Sequence, residues 1–376
     1  MLIYTRKSLY YVLIFATLFC TILYISFYNN LFTQEYIKKF DVTPKLERKR
    51  ILMYTKYFLT EEVKMFNKCE PINCEFTRDK KLFSTSDGVV FHFADIEKDD
   101  LPTRAFPSQK FVYFALEAPF STIYRFSPDN YFNWIMSYNN KSDVKFEYGT
   151  KWIKSDGNHK RLNYTYDAII PKKLYKGIVG YISNCYTNSA RELVIRKLEK
   201  YIQVNIYGNC HINPISNNTC NASDYKCEEN FINNYYFYFA LENAICNNYI
   251  TEKYWKRFTF DSIPIVMKRN IYTDVGIPNS SFIAVDDFKT SKQMANYLHY
   301  LINNPSEYLK YFEHRKENIT VIQESDYDLI NGICDLCSKI RQNIDDKKII
   351  KNVNPIYSDI NKCIPSNVMS DFANNW

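Results

Sequence analysis

The stretch Tyr236-Phe-Tyr-Phe-Ala-Leu-Glu-Asn-Ala-Ile-Cys-Asn-Asn-Tyr-Ile-Thr-Glu-Lys253 constrains this chain more than any other. Its first part, Tyr236 to Leu241, is a short, nearly unbroken apolar run. Such a run suits a strand buried on both faces of a sheet. A polar loop follows, and Thr251 is a candidate N-cap for a helix beginning at Glu252. A second apolar run, Ile263-Pro-Ile-Val-Met267, then completes a βαβ unit. In open α/β sheets ligands bind beyond the carboxyl ends of the strands, where helix starts present free N–H groups to anions. Asn243, Tyr249, Glu252 and Lys253 are all expected at that mouth, and Lys253 favours an anionic ligand. On their own, these residues equally fit a polar loop that caps a strand.

The N-terminus narrows the setting. Arg6 and Lys7 precede Leu9 to Tyr28, a charge-free segment long enough to cross a bilayer as a helix. Ser26-Phe27-Tyr28 offers no good cleavage site, so a signal anchor is expected rather than a cleaved leader. Basic residues before the segment place residues 1–8 in the cytosol, 9–28 in the membrane and the rest on the lumenal side. Ten cysteines beyond Cys20 form an even set suited to disulfides in an oxidising compartment. Cys334-x-x-Cys337 has no second such pair or spaced histidines with it, which weighs against zinc. Six sequons, at Asn140, Asn163, Asn217, Asn221, Asn279 and Asn318, are candidate glycosylation sites.

Composition excludes some functions. The net charge of +7 would raise nucleic acid as a partner, but the basic residues are scattered rather than striped. Only 8 glycines occur, and none forms GxGxxG or GxxxxGK[ST], so any phosphate must be held by side-chain cations and helix ends.

The remaining chain reads as a stem (29–48) followed by two α/β halves. Strand-like runs occur at Ile51 to Tyr54, Val89 to Phe93 and Phe111 to Leu116. The last ends in Glu117-Ala-Pro119, a carboxylate at a strand mouth with proline stopping the pairing. The second half opens with Ile178 to Ile182 and Ser183-Asn184-Cys185. A helix is expected over Ala190 to Tyr201 with Val194, Leu198 and Tyr201 on one face. Arg191 falls in its first turn, where a cation opposes the helix dipole unless an anion holds it. The strand Val204 to Tyr207 ends at Gly208, and Ser291 to Asn303 and Pro305 to Lys316 read as helices.

These pieces resemble the α-1,3-fucosyltransferases of glycosyltransferase family 10. The resemblance rests on Ser183-Asn184-Cys185 with Arg191, Val204-Asn-Ile-Tyr-Gly208, and above all Phe237-Tyr-Phe-Ala-Leu-Glu-Asn243 leading into Asn248-Tyr-Ile-Thr-Glu-Lys253. Tyr272, Pro278, Ser281-Phe-Ile283 and Asp287-Phe288 keep the family's spacing. Glu117-Ala-Pro119 and Asn133-Trp-Ile-Met-Ser-Tyr138 with Ser142-Asp143 match its first-half marks. Leu241 replaces the usual Phe, and Asn139 stands where an Arg is common, a change expected to bear on acceptor contacts.

The resemblance implies a GT-B fold of two facing Rossmann-like domains: an acceptor-side domain over 49–172, a GDP-fucose-binding domain over 173–340 and a C-terminal tail over 341–376. It implies a Golgi type II membrane enzyme transferring fucose from GDP-β-L-fucose, with inversion, to the 3-hydroxyl of a GlcNAc residue on a glycoprotein or glycolipid. Glu117 is the expected general base. Arg191 and Lys253 would neutralise the departing diphosphate without a metal. Asn184, Asn243, Tyr249 and Glu252 complete the expected donor set. No cofactor or Mn²⁺ is expected to be required: Asp326-Tyr-Asp328 lies away from the donor strand ends and Asp286-Asp287 lacks a spacer. His92 is an alternative base. An inactive or differently specific glycan-binding membrane protein of the same fold is the alternative function. The resemblance also implies that Cys69 and Cys74 pair with Cys334 and Cys337, tying the chain's two ends, against a local Cys334–Cys337 bridge.

Overall fold

The computed structural model describes residues 47–57, 73–148, 153–154, 164–210, 212, 220, 224–316, 319–320, 328–342 and 346–376. The anchor and stem expected over 9–48 lie outside them apart from Glu47 and Arg48, as do Cys69, Asn163, Asn217, Asn221, Asn318 and Asp326. Among the described residues no helix is long and apolar enough to cross a membrane.

Two all-parallel sheets carry the architecture. The first contains β1 (Lys49–Met53), β2 (Cys74–Thr77), β3 (Gly88–His92), β4 (Lys110–Ala115), β5 (Trp134–Ser137) and β6 (Val144–Lys145), in the order β2-β1-β3-β4-β5-β6. Its central strands β3 and β4 are buried along their whole length, which is why they read as unbroken apolar runs. Helix α1 (Pro119–Thr122) leaves the end of β4, with Pro119 in its first turn where a missing N–H costs nothing. A short antiparallel pair, β7 (Ile153–Lys154) with β13 (Ile319–Thr320), lies apart from both sheets.

Helix α2 (Tyr166–Ile169) precedes the second sheet. The chain then runs β8 (Tyr175–Tyr181), α3 (Arg191–Leu198), β9 (Gln203–Tyr207), α4 (Tyr225–Asn233), β10 (Tyr235–Phe239), α5 (Glu252–Trp255), β11 (Ile263–Val266), α6 (Arg269–Thr273) and β12 (Ile283–Ala284). The strand order is β12-β11-β10-β8-β9. The order reverses between β8 and β10, and a ligand crevice opens beyond the carboxyl ends at such a switch point. Val194, Ile195 and Leu198 of α3 pack on this sheet, but Tyr201 lies past the helix end and is exposed, because the apolar stripe stops a turn earlier than its periodicity indicates.

Helices α7 (Ser291–Asn303) and α8 (Pro305–Leu309) cover the second sheet, and a 3-10 stretch continues α8 to Lys316. The final segment then returns. Helix α9 (Asp328–Gln342) buries Ile333, Leu336 and Ile340 in the core of the first sheet, not the second. It approaches so closely at Gly332 that a Cβ there would collide with the Phe146 ring. Residues beyond 341 are more than a tail. Helix α10 (Val353–Asn361) puts Val353 and Tyr357 into the first core, and α11 (Ser366–Asn375) puts Met369 and Ala373 into the second. Lys49–Trp376 thus form one compact unit.

Disulfides fasten this crossing. Cys74 of β2 is bonded to Cys337 of α9, so the local Cys334–Cys337 bridge is not formed; Cys334 is disulfide-bonded as well. Cys185–Cys210, Cys220–Cys227 and Cys246–Cys363 are further bonds.

Candidate active site

The switch point of the second sheet is built by two strand ends. Beyond β8, the Asn184 backbone carbonyl accepts from Arg191 Nη2 at 3.0 Å. Beyond β10, the Leu241 carbonyl accepts from Arg191 Nη1 at 2.6 Å. Arg191 is therefore a buried cation that staples the two loops. Its inward turn follows from Ala190, held at φ 52° as the helix N-cap, a left-handed conformation that an alanine rarely adopts. Burial lowers the guanidinium's pKa, with Glu242 and then Glu192, Tyr249 and Glu252 opposing the drop, and it remains a cation. Its Nε is buried without a hydrogen-bond partner among the described residues. The Asn184 side chain is exposed, and the Asn243 Oδ1 atom is buried and unpartnered.

Gly208, at φ 96° after β9, keeps the first of these loops tight, since a Cβ there would sit 2.6 Å from the Ile182 carbonyl oxygen. That same carbonyl accepts from Cys210 N at 3.1 Å, beside the Cys185–Cys210 bond.

Thr251 caps α5 as its position indicates, accepting from Lys253 N at 3.4 Å. Its hydroxyl and N–H also reach the Glu242 carboxylate, at 2.9 and 2.7 Å. Glu242 is buried and its charge is met by Lys253 Nζ at 3.2 Å. Lys253 Nζ also lies 3.1 Å from Glu252 Oε1 and 3.0 Å from Thr251 Oγ1. Burial raises the pKa of Glu242 despite the ammonium. Burial acts on Glu252 in the same direction, but the Lys253 charge and hydrogen bonds outweigh it and hold Glu252 low. Burial opposes the charge on Lys253, while Glu242 and Glu252 more than restore it. The result is an ammonium fixed between two carboxylates. Glu242 escaped the reading of the sequence, although a carboxylate directly after an apolar strand is a visible signal.

The loop between β10 and α5 is shared by both cores. Ile245 and Ile250 pack in the second, whereas Ala244, Cys246 and Tyr249 pack in the first. Asn248, at φ 62°, makes the turn that reverses the side-chain direction, a conformation asparagine tolerates. Tyr249 therefore inserts beside Tyr138 and Tyr148, with ring centroids 4.9 and 6.3 Å away. Its hydroxyl donates to Glu117 Oε2 at 3.1 Å. The resemblance counts Tyr249 in the donor set; here it is 2% exposed and bonded to the carboxylate beyond β4.

Glu117 itself is half-buried, and its backbone carbonyl accepts from Tyr357 at 2.7 Å. Tyr148 holds the preceding carbonyl, Leu116, at 2.9 Å. The Tyr57 phenol, beyond β1, is pushed up to about 12 by burial and then by the charges of Glu117 and Glu252. Tyr57, Tyr148 and Tyr357 carried no local signal beyond their abundance in the chain. His92 is fully buried, with Nδ1 2.5 Å from Asp95 Oδ2 and its ring against Tyr57. Asp286 and Asp287 hold Arg269 and neighbouring backbone N–H groups. Among the described residues no cluster of three or more metal-ligating side chains occurs. Asn139 is fully buried, its amide donating to Asn247 O, Ile360 O and Asn361 Oδ1 at 3.1–3.2 Å, so it clamps the shared loop and does not face an acceptor. Of the sequons, Asn140 and Asn279 are described and exposed.

Two parallel sheets, with buried Arg191 and partly buried Lys253 beyond one and a carboxylate beyond the other, define an α/β protein with charged groups at the carboxyl ends of both sheets. Comparison with known proteins makes this specific. Residues 171–356 match the C-terminal domain model of glycosyltransferase family 10 (fucosyltransferase), and residues 46–149 match the fucosyltransferase N-terminal model. Alpha-(1,3)-fucosyltransferase fut-6 of Caenorhabditis elegans is 30% identical over 74% of this chain and 70% of its own length. The fut-1 enzyme of the same nematode is 34% identical over 72% of this chain, an alignment that spans 60% of the relative. Human 3-galactosyl-N-acetylglucosaminide 4-alpha-L-fucosyltransferase FUT3 is 29% identical, covering 72% of this chain and 71% of its own. A crystal structure of an alpha1,3-fucosyltransferase with GDP superimposes with a TM-score of 0.50 at 17% identity, over 80% of this chain and 93% of that one, a likeness of fold. The chain belongs to glycosyltransferase family 10 and is a fucosyltransferase of that family.

Proposed function

We propose that this protein, as a GT-B enzyme, transfers L-fucose from GDP-β-L-fucose to the 3-hydroxyl of a GlcNAc residue in a glycoprotein or glycolipid glycan, with inversion at C1. The observation that carries this reading is the Tyr249–Glu117 bond, which joins the loop of the cation site to a carboxylate from the other sheet. The base then stands on one side of the reaction and the cations of the donor loop on the other. Glu117 takes the acceptor proton as the new O–C1 bond forms and the C1–O bond to the diphosphate breaks. Arg191 and Lys253 meet the charge that builds on the leaving GDP, so no metal is needed. Asn243 supplies a polar donor contact through its unmet Oδ1, and Asn184 through its exposed side chain. Glu252 holds the GDP ribose and its neighbouring groups, the role that the family resemblance gives it. The charge-free segment 9–28 carries the enzyme as a Golgi type II protein with its catalytic portion in the lumen.

Incubation of the protein with GDP-fucose and a panel of GlcNAc-containing acceptors, with and without EDTA, tests the reaction. Product is expected in both conditions; loss under EDTA restored by Mn²⁺ would refute the metal-free reading. Glu117→Gln should keep GDP affinity while turnover falls by about 10²–10⁴-fold. Near-normal turnover in that variant would remove Glu117 from the role, and GDP-fucose binding without transfer to any acceptor would point to a glycan-binding protein instead.

A further inference from the structure

Three large apolar side chains stand exposed within one short turn, Ile123-Tyr124-Arg125-Phe126, just after α1. Tyr124 is 91% exposed, the highest among the described large apolar residues, with Ile123 at 47% and Phe126 at 41%. Keeping such groups in water is unfavourable, and an apolar patch this concentrated marks a surface that a ligand or partner covers. The turn itself is ordered. Ser121 N–H donates to the Ala118 carbonyl at 2.8 Å, Ile123 N–H to Pro119 at 2.9 Å and Arg125 N–H to Thr122 at 2.8 Å. Pro119 and Thr122 are buried and Phe120 packs on the first core, so the inward face of α1 ends before Ile123. The returning chain is pinned too: Asn130 N–H donates to the Lys351 carbonyl at 3.0 Å and the Tyr131 hydroxyl to the Pro102 carbonyl at 2.7 Å. The rings therefore stand on a fixed platform.

Position and size select what covers them. The platform follows Glu117 beyond the carboxyl end of β4, whereas a stem over 29–48 would enter the same parallel sheet at Lys49, the amino end of β1. A bilayer tethered through that stem would face the opposite edge of the sheet. Four side chains also fall short of the roughly 800 Å² per partner that a stable protein interface buries. One sugar ring fits. Aromatic faces cover the C–H face of a hexopyranose, and its hydroxyls meet the exposed Arg125 guanidinium, which offers only donors. We infer that Tyr124 and Phe126 form an acceptor subsite: they stack on the sugar next to the GlcNAc that receives fucose, and so set the preference for extended acceptors over the single sugar. This rests on the proposed transfer to GlcNAc at the mouth of β4.

Initial rates of the full chain in detergent, at saturating GDP-fucose, test this on the methyl β-glycoside of GlcNAc and on di- and trisaccharides that contain it. Tyr124→Ala should raise KM for the longer acceptors about 3–10-fold, the size of one aromatic contact, while kcat and the monosaccharide KM stay unchanged. Tyr124→Phe should restore the parent KM, because the ring and not the hydroxyl makes the contact. Tyr300→Ala, which removes an exposed tyrosine from α7 over the second sheet, should change nothing. Tyr124 lies on the surface, so its removal leaves the fold intact, and the unchanged kcat verifies that. A parent-like KM for Tyr124→Ala on every acceptor would overturn the inference, as would an equal rise on the monosaccharide or a failure of Tyr124→Phe to restore KM. A loss confined to glycolipid acceptors in phosphatidylcholine vesicles would overturn it in favour of a bilayer contact. A dimer that falls to monomer on sedimentation, with KM unmoved, would overturn it in favour of a second copy of the chain. The parent protein separates the two levels: no transfer to any acceptor refutes the reaction and the subsite with it, whereas transfer with an unmoved KM in Tyr124→Ala removes only the subsite.

Discussion

At the scale of single residues, the site depends on charges that satisfy one another before any ligand arrives. Lys253 stands between Glu242 and Glu252, and Glu242 is buried. Removing one member of a buried pair leaves the other charge without compensation, which costs more than the pair contributes. Lys253→Met should therefore lower stability to urea by on the order of 3 kcal/mol and also abolish tight GDP-fucose binding. Adding Glu242→Gln should restore much of the stability but none of the donor affinity, because the stranded carboxylate is gone while the cation is still missing. A double variant no more stable than Lys253→Met alone would show that the pair is not coupled in this way. The sequence marked Lys253 and Glu252 through the cap at Thr251, a local pattern. It could not mark Glu242 as their partner, because only the fold of the loop returns Glu242 to the helix start.

At the scale of elements, the shared loop between β10 and α5 sets the site more than either helix does. A four-residue helix has little stability of its own, so its position depends on what its preceding loop grips. The grip is Asn139, Cys246–Cys363 and the insertion of Tyr249. Asn139→Leu should leave the Asn247 and Ile360 carbonyls facing an apolar group and cost about 1–3 kcal/mol by denaturant titration. It should also raise the KM for GDP-fucose, and an unchanged KM would mean that the loop holds its place without this clamp. The central strands were legible because burial on both faces demands continuous apolar residues. The edge strand β2 is only half-buried, and β6 and β12 are two residues long. Such elements show no periodicity and were not visible.

At the scale of the whole molecule, the last segment ties the two sheets together. Helices α9 and α10 pack on the first sheet and α11 on the second, so the chain crosses between cores twice after its last sheet strand. Cys74–Cys337 closes this path over a sequence separation of 263 residues. In the chain-entropy model a bridge of that span contributes about 5 kcal/mol through the unfolded state. Cys74→Ser with Cys337→Ser should lower the unfolding temperature markedly and separate the melting of the two cores. Melting that stays as a single transition at the parent temperature would show that helix packing alone couples them. Non-reducing peptide mapping of the parent should return Cys74 joined to Cys337.

What the sequence settled alone was local: the buried strands β1, β3, β4 and β8 to β11, the cap at Thr251, the carboxylate at the mouth of β4 and the cations near strand ends. Each follows from apolar continuity or from the chemistry of a few adjacent residues, which a short window contains. The tertiary structure decided the rest. It sent Tyr249 into the opposite core to reach Glu117, made Asn139 a clamp, gave Glu242 to Lys253 and paired Cys74 with Cys337. Apart from Glu242 with Lys253, which the fold of one loop brings together, those contacts join residues far apart along the chain, and their choice of partner depends on how two sheets and three returning helices pack, a property that no local pattern encodes.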